Sequence, residues 1–272
     1  MASSLTPHRK LDISTPEDTN RSDPFDVIVL NVSDITTVVV SDYNNSSVKS
    51  FFTRHDNDGY SVLKLSNFPW QLAKVSNKIL AVTVPGSRTI VIFEVSPELD
   101  EQLTFHTSEM YWGLTALGST TLIAGADYSS RVDILDLEGH VLRSILAEDI
   151  GMDLLQEPDI LSSTRDGNIL VVDSGSKSLI CMTPDGAIMF VYSRSTVTNR
   201  DRPRGVTVTA SGIIFFVDDE THTLVQLSEK GETVMETDIP SDPKDNYFGL
   251  CCSEEYFYIA IRDKHIQVYT SA

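Results

Sequence analysis

The stretch 37-TVVVSDYNNSSVKSF-51 holds the pattern on which the whole chain is built: an apolar strand, an Asp, a polar loop, and a second apolar strand. It returns as 121-TLIAGADYSSRVDIL-135, 168-NILVVDSGSKSLICM-182 and 213-IIFFVDDETHTLVQL-227. Weaker copies read 79-ILAVTVPGSRTIVIF-93 and 257-FYIAIRDKHIQVY-269. Superposing the six puts Asp42, Val84, Asp127, Asp173, Asp218 and Arg262 in one column, at intervals of 42, 43, 46, 45 and 44 residues. A period of that length, with four strand-like segments in each copy, predicts an all-β, six-bladed β-propeller rather than a helical solenoid.

Blades are expected at about 24–65, 68–107, 111–149, 157–195, 202–240 and 247–272. Asp58-Gly59, Glu138-Gly139, Asp185-Gly186 and Lys230-Gly231 stand where hairpins between the third and fourth strands need positive φ, and Asp166-Gly167 and Ser211-Gly212 do so between the first and second. The last copy runs out after three strands. The N-terminal HRKLDIST, residues 8–15, alternates like a half-exposed strand and is expected to complete it, closing the ring and removing two raw sheet edges. Residues 1–7 are then expected to form a disordered tail, and parts of 16–23 to be loose.

Composition narrows the function. Among 272 residues, 39 acidic and 21 basic ones give a net charge of −18. Such a field opposes phosphate backbones and anionic membranes, so no DNA or membrane partner is expected and RNA is disfavoured. Three cysteines, Cys181, Cys251 and Cys252, are too few and too poorly spaced for a disulfide framework and read as buried thiols. The first residues, MASSLTPHRKLDISTPED, contain no apolar signal core, and no apolar run approaches a membrane span. A soluble, cytoplasmic, monomeric protein is expected.

No nucleotide-binding loop, nucleophile elbow or paired zinc spacing is present, so no catalytic residue, metal or cofactor is assigned. The column aspartates Asp42, Asp127, Asp173 and Asp218 read as structural, their carboxylates accepting backbone N–H groups of the loop that follows. An axial Ca²⁺ site of the kind found in propeller lactonases would have to draw on Asp26, Asp159 and Asp219. The residues that open the blades point elsewhere. Trp70, Trp112, Arg204 and Phe248 begin four of them, on the face that also carries Tyr43, Arg88, Tyr128, Lys177, His222 and Lys264. Aromatic and arginine side chains gathered on one face suit a protein-binding hot spot. Packing between blades is the competing role for the same tryptophans.

In its repeats the chain resembles NHL propellers of tripartite-motif proteins. VVVSDYNNSSVKSF follows the family pattern V-A-D-x-x-N-x-R-V-x-x-F, and RPRGVTVTASGIIFFVDDETHTLVQLSEKGE reads as a second full repeat. The likeness runs from His8 to Ala272. It implies a non-catalytic module that selects a protein or RNA partner for a ubiquitin ligase. The RING and B-box zinc ligands of that family are not in this sequence, so the chain is either a stand-alone propeller or the recognition half of a longer protein. Three arginines in RDRPR, 200–204, with Arg88, Arg131 and Lys177, are the basis of an RNA-binding alternative; Asp219, Glu220 and Asp263 weaken it.

Overall fold

The computed structural model describes residues 3–193, 203–240, 242–253 and 255–270. The chain opens with β1 (Ser3–Ser4) and β2 (Thr6–Leu11). Blade one comprises β3 (Pro24–Val32), β4 (Ile35–Asp42), β5 (Ser47–Arg54) and β6 (Asn57–Lys64). Blade two comprises β7 (Leu72–Lys74), β8 (Ile79–Val84), β9 (Thr89–Val95) and β10 (Leu99–His106). Blade three has β11 (Leu114–Leu117), β12 (Thr121–Ala126), β13 (Arg131–Asp136) and β14 (Val141–Leu146), followed by one helical turn, α1 (Ala147–Ile150). Blade four has β15 (Pro158–Ser163), β16 (Ile169–Asp173), β17 (Ser178–Met182) and β18 (Ile188–Tyr192). Blade five has β19 (Pro203–Val208), β20 (Ile214–Asp218), β21 (Thr223–Leu227) and β22 (Thr233–Asp238). Blade six has β23 (Tyr247–Cys252), β24 (Tyr256–Ile261) and β25 (His265–Thr270), with β2 as its outer strand. The six sheets are the six blades of an all-β propeller, each antiparallel between successive strands.

Alternation along the strands explains the ring. Side chains on one face of a blade meet the opposite face of the next, so each seam buries its own apolar layer. Six such layers are present, one per seam. Val39, Leu72, Val82 and Phe93 fill the seam between blades one and two. Ile13, Val38, Val40, Tyr258 and Val268 fill the last, between blades six and one. The three thiols are free and belong to these layers: Cys181 packs between blades four and five, while Cys251 and Cys252 turn to opposite seams. Burial pushes the Cys251 thiol up to about 12, which removes it as a nucleophile.

Each loop joining the second and third strands needs one residue with positive φ. That place falls to Ser46, Arg88, Ser130, Lys177, His222 and Asp263, with φ between 46° and 55°. One hairpin differs from the expectation. Blade one turns at His55 and Asp56, φ 50° and 61°, and Gly59 lies inside β6. A Cβ there would come within 2.5 Å of the Phe52 ring, so this glycine makes room for an aromatic rather than for a turn.

The N-terminus is built in more tightly than its composition suggests. The strand that pairs with β25 spans Thr6–Leu11, not 8–15, with Thr6 opposite Thr270 and Leu11 opposite Ile266. Ser3 and Ser4 add a parallel pairing to β22, and Leu5 is buried between blades five and six, so residues 3–7 do not form a loose tail. Residues 1 and 2 of that expected tail lie outside the described residues. Residues 13–22 are likewise held. The fully buried Lys49 ammonium donates to the Ile13 carbonyl at 2.9 Å, to Asp18 at 2.7 Å and to Asp42 at 2.6 Å. Asn45 accepts the N–H groups of Thr19 and Asn20. A buried cation must be satisfied by neighbours, and here the N-terminal segment supplies three of its acceptors, Ser22 Oγ being the third.

Candidate functional site

Strand pairing sets the geometry of the loop face. Pro24 lies opposite Asp42, Pro158 opposite Asp173 and Pro203 opposite Asp218, so the start of each innermost strand and the loop after the second strand share one end of the ring. The residue after each of these prolines therefore takes an equivalent place near the axis. With Trp70 and Trp112, whose N–H groups bond the Thr83 and Gly125 carbonyls, and with Phe248, they form a six-membered circuit: Phe25, Trp70, Trp112, Asp159, Arg204 and Phe248.

Neighbours in the circuit touch at five of its six junctions, the pair Trp112 and Asp159 excepted. Ring centroids are 4.0 Å apart for Phe25 and Trp70, 4.3 Å for Trp70 and Trp112, and 4.2 Å for Phe25 and Phe248. Arg204 lies 5.0 Å from the Phe248 ring centroid and donates to Asp159 at 2.9 Å. The Trp70 indole N–H crosses the axis to the Asp159 carbonyl at 3.2 Å. A void of about 10 Å³ lies between Phe25, Trp70, Ile160 and Phe248. A cavity of about 370 Å³ runs between the innermost strands, with Asp26, Gln71, Lys74 and Cys252 among its lining.

The residues expected to form an interaction face divide into three groups. Trp70, Trp112 and Phe248 converge as half-buried rings, and Tyr43 stacks on Phe25 and Phe68 beside them. Arg88, Tyr128 and Lys177 stand exposed on separate loops around the rim, Tyr128 at 82%. His222 is half-buried against the Tyr247 hydroxyl, and Lys264 pairs with Asp245 at the ring seam. Arg204 corrects the expectation of an exposed anchor. It is 4% exposed, and its Nη1 donates to Asp159 and Ser174. Its removal would cost stability, since a buried carboxylate would be left behind.

Four participants lie outside the expected set. Phe25 and Asp159 are the missing members of the circuit, and their signal is the preceding proline: Pro24, Pro69, Pro158 and Pro203 stand before four of the six. Phe68 lies 6.1 Å from Trp112. Arg262, which stands in the aspartate column of the last repeat, clasps Asp23 at 2.6 Å across the closure seam. It also stacks 4.6 Å from the Phe25 ring centroid.

Three of the four column aspartates tie loops: Asp173 and Asp218 do so through N–H groups of the loop that follows, as expected, whereas Asp42 holds the backbone of the segment before the blade and the Asn45 side chain. Asp42 accepts from the Asp23 N–H and from Asn45, Asp173 from Gln156, Glu157 and Ser176, and Asp218 from Glu220 and Thr221. Asp127 is the exception. Its buried Oδ1 has no hydrogen-bond partner, and burial together with the charges of Asp159, Glu157 and Asp173 pushes its pKa up to about 8. Burial likewise raises Asp26 to about 7 and Asp159 to about 6. Each folded-state pKa lies above the ordinary 3.8, so the folded protein holds protons that the unfolded chain releases. Stability from these groups is complete below about pH 4 and declines as pH rises through 6 to 8. Asp127→Asn is therefore expected to raise unfolding stability at pH 8 by on the order of 3 kcal/mol, and to change it little at pH 4. Parallel stability profiles for the two proteins across that range would show instead that Asp127 is ionised in the fold.

The carboxylates considered for an axial cation do not converge. Asp26 accepts from Val27 and Leu72, Asp159 from Arg204 and Ser174, and Asp219 from the Tyr247 N–H. Among the described residues, the one trio with donor atoms within 4.8 Å of one another is Asp136, Glu138 and His140, on an outer turn of blade three. No helix of the described residues is long and apolar enough to cross a membrane.

Comparison with solved structures agrees with this architecture. A virginiamycin B lyase from Staphylococcus aureus, crystallised as a catalytically inactive variant with quinupristin, matches with a TM-score of 0.69. It is 14% identical over 97% of this chain and 99% of its own. A streptogramin B lyase matches with a TM-score of 0.64, 12% identity and 96% coverage of both chains. A protein of unknown function from Bacteroides thetaiotaomicron gives a TM-score of 0.68 at 14% identity, over 99% of this chain and 75% of its own. These likenesses establish the propeller fold. No family profile matches the sequence, and no curated protein matches it.

Proposed function

We propose that this propeller is a non-catalytic recognition module that binds a protein partner on its loop face, in the manner of the NHL propellers its repeats resemble. The observation that carries the reading is the axial circuit, where aromatic rings from blades one, two, three and six meet at one surface. Trp70, Trp112 and Phe248 are half-exposed there, and Tyr128 projects from the rim. Rings fixed against one another lose little freedom when a partner covers them, which favours affinity.

The alternatives have less support. For RNA, among the described residues Arg204 is buried in an ion pair and Arg131 is committed to Glu109 and Asp133. The lyase from Staphylococcus aureus is catalytically inactive in a variant that exchanges a single histidine for alanine. None of the six histidines here belongs to the circuit or lines the cavity.

Tyr128→Ala and Trp112→Ala test the proposal. Each is expected to weaken partner binding by about 1–3 kcal/mol, measured by calorimetry or surface binding, with Tyr128→Ala leaving thermal unfolding unchanged. Binding that is indifferent to both substitutions, or that is abolished by nuclease and falls steeply with salt, would defeat the protein-partner reading. Conversion of quinupristin by the purified chain would defeat the non-catalytic one.

A further inference from the structure

The cavity of about 370 Å³ on the axis has the size of a small-molecule site, and recognition on the loop face leaves it unused. Its walls are β3, β7, β11, β15, β19 and β23, each at the margin of its sheet. Backbone N–H and C=O groups on their axial edges therefore have no strand to pair with. Among the described residues that line it, just two side chains are charged, Asp26 and Lys74. Asp26 and Gln71 also border the small void between the aromatic rings, which places them at the end nearest the circuit. Lys74 is exposed and ends β7, so the cavity meets solvent there, on the side away from the loop face.

The two charged groups are both left with capacity to bind. Gln71 is consumed: its amide oxygen accepts the Leu114 and Leu161 N–H groups at 2.8 Å, and its nitrogen donates to the Leu161 carbonyl at 2.7 Å. Asp26 accepts one N–H on each oxygen, from Val27 and from Leu72, both at 2.9 Å. A carboxylate oxygen can take a second bond, so half of its capacity is open. Gly249 clears the space around it, since a Cβ there would lie 2.6 Å from Asp26 Oδ1. No described cation pairs with Asp26, and burial pushes its pKa up to about 7. Lys74 likewise forms no ion pair with a described residue. Both charges act on one point of the wall: the Cys251 thiol, raised mainly by burial, is raised further by Asp26 and lowered by Lys74. Along β7, Lys74 stands two residues beyond Leu72, whose N–H bonds Asp26, which is about 7 Å of strand.

We propose that the axial cavity binds a small linear zwitterion, an ω-amino acid, with its ammonium on Asp26 and its carboxylate on Lys74. The remaining ammonium donors meet carbonyls of the strand edges, and the methylene chain lies along Leu114, Leu161 and Leu250. The site is separate from the loop face, so a failed titration leaves the partner-binding measurements untouched. Asp26 must be ionised to hold the ammonium, and a proton competes with the ligand. The other titratable groups of the lining are Lys74 and the thiols Cys251 and Cys252, which burial holds neutral. Affinity should therefore rise about tenfold from pH 6 to pH 8 and level off above.

Calorimetric titration of the whole chain with 5-aminopentanoate tests this, with pentylammonium and pentanoate as analogues that each lack one end. Saturable binding of 5-aminopentanoate is expected, about threefold weaker binding of pentylammonium, and at least about thirtyfold weaker binding of pentanoate. Lys74→Gln should weaken 5-aminopentanoate about threefold and leave pentylammonium unchanged. Asp26→Asn should weaken both ammonium compounds at least about thirtyfold and remove the pH dependence. Thermal unfolding reports whether that variant is folded; if it is not, the Lys74→Gln variant, the analogues and the pH profile of the parent decide. No binding of any compound at millimolar concentration would overturn the zwitterion site and leave the cavity to water. So would equal binding of all three, a flat affinity between pH 6 and pH 8, or binding indifferent to Lys74→Gln or to a folded Asp26→Asn variant.

Discussion

Lys49→Met is expected to lower the unfolding free energy by about 3–5 kcal/mol, a large share of a domain's total. Lys49 is wholly buried, and its ammonium neutralises Asp42 and Asp18 while holding the Ile13 carbonyl. Methionine fills nearly the same volume, so packing is kept and the loss isolates the charge. Two carboxylates then remain beneath the N-terminal segment with no cation. Chemical denaturation reads the effect directly, and a Lys49→Met/Asp42→Asn double variant should recover part of it. A loss below about 1 kcal/mol would mean that water reaches the site and that the strap from Ile13 to Ser22 is held by other means.

Deleting residues 1–15 should cost as much or more. Leu5 and Ile13 are buried at 3% and 0% exposure, and each such side chain contributes about 1.5–3 kcal/mol. The deletion also strips β2 from β25, leaving an unpaired strand edge in blade six. Together these predict a loss of about 5 kcal/mol in denaturation midpoint analysis. Concentration-dependent association is also expected, because a bare edge recruits other strands. A truncated protein that melts with the parent and stays monomeric would show that the N-terminal strand decorates the ring rather than closing it.

The period, the aspartate column and the truncated last repeat are legible in the sequence because they repeat, and repetition averages out local irregularity. Glycine turns are legible where φ is positive, as at Gly139, Gly186 and Gly231. Gly59 misleads because its purpose is steric room for Phe52, which no local pattern shows. Arg204 reads as a surface anchor because its ion-pair partner, Asp159, lies 45 residues earlier. The Lys49 cluster is invisible for the same reason. An inward lysine in strand 47-SVKSF-51 makes sense only beside acceptors 31 and 36 residues away. Asp127 groups with its column by spacing, and only the absence of an N–H within reach separates its Oδ1 from the carboxylates of Asp42 and Asp173.

The direction in which the closing strand lies has a mechanical consequence. Thr6 faces Thr270 while Leu11 faces Ile266, so the two chain ends leave the same end of the β2–β25 pair. A pull on both ends loads its hydrogen bonds one after another, like a zipper, and never in parallel. The closure can thus be the strongest part of the ring against heat or denaturant and still the first to yield to tension. Beyond Leu11, the load passes to the Lys49 anchorage, where a cation grips the strap by a carbonyl and a carboxylate at once. Force spectroscopy on the intact chain should therefore record a low first rupture releasing the outer strand, followed by a higher one when that anchorage fails.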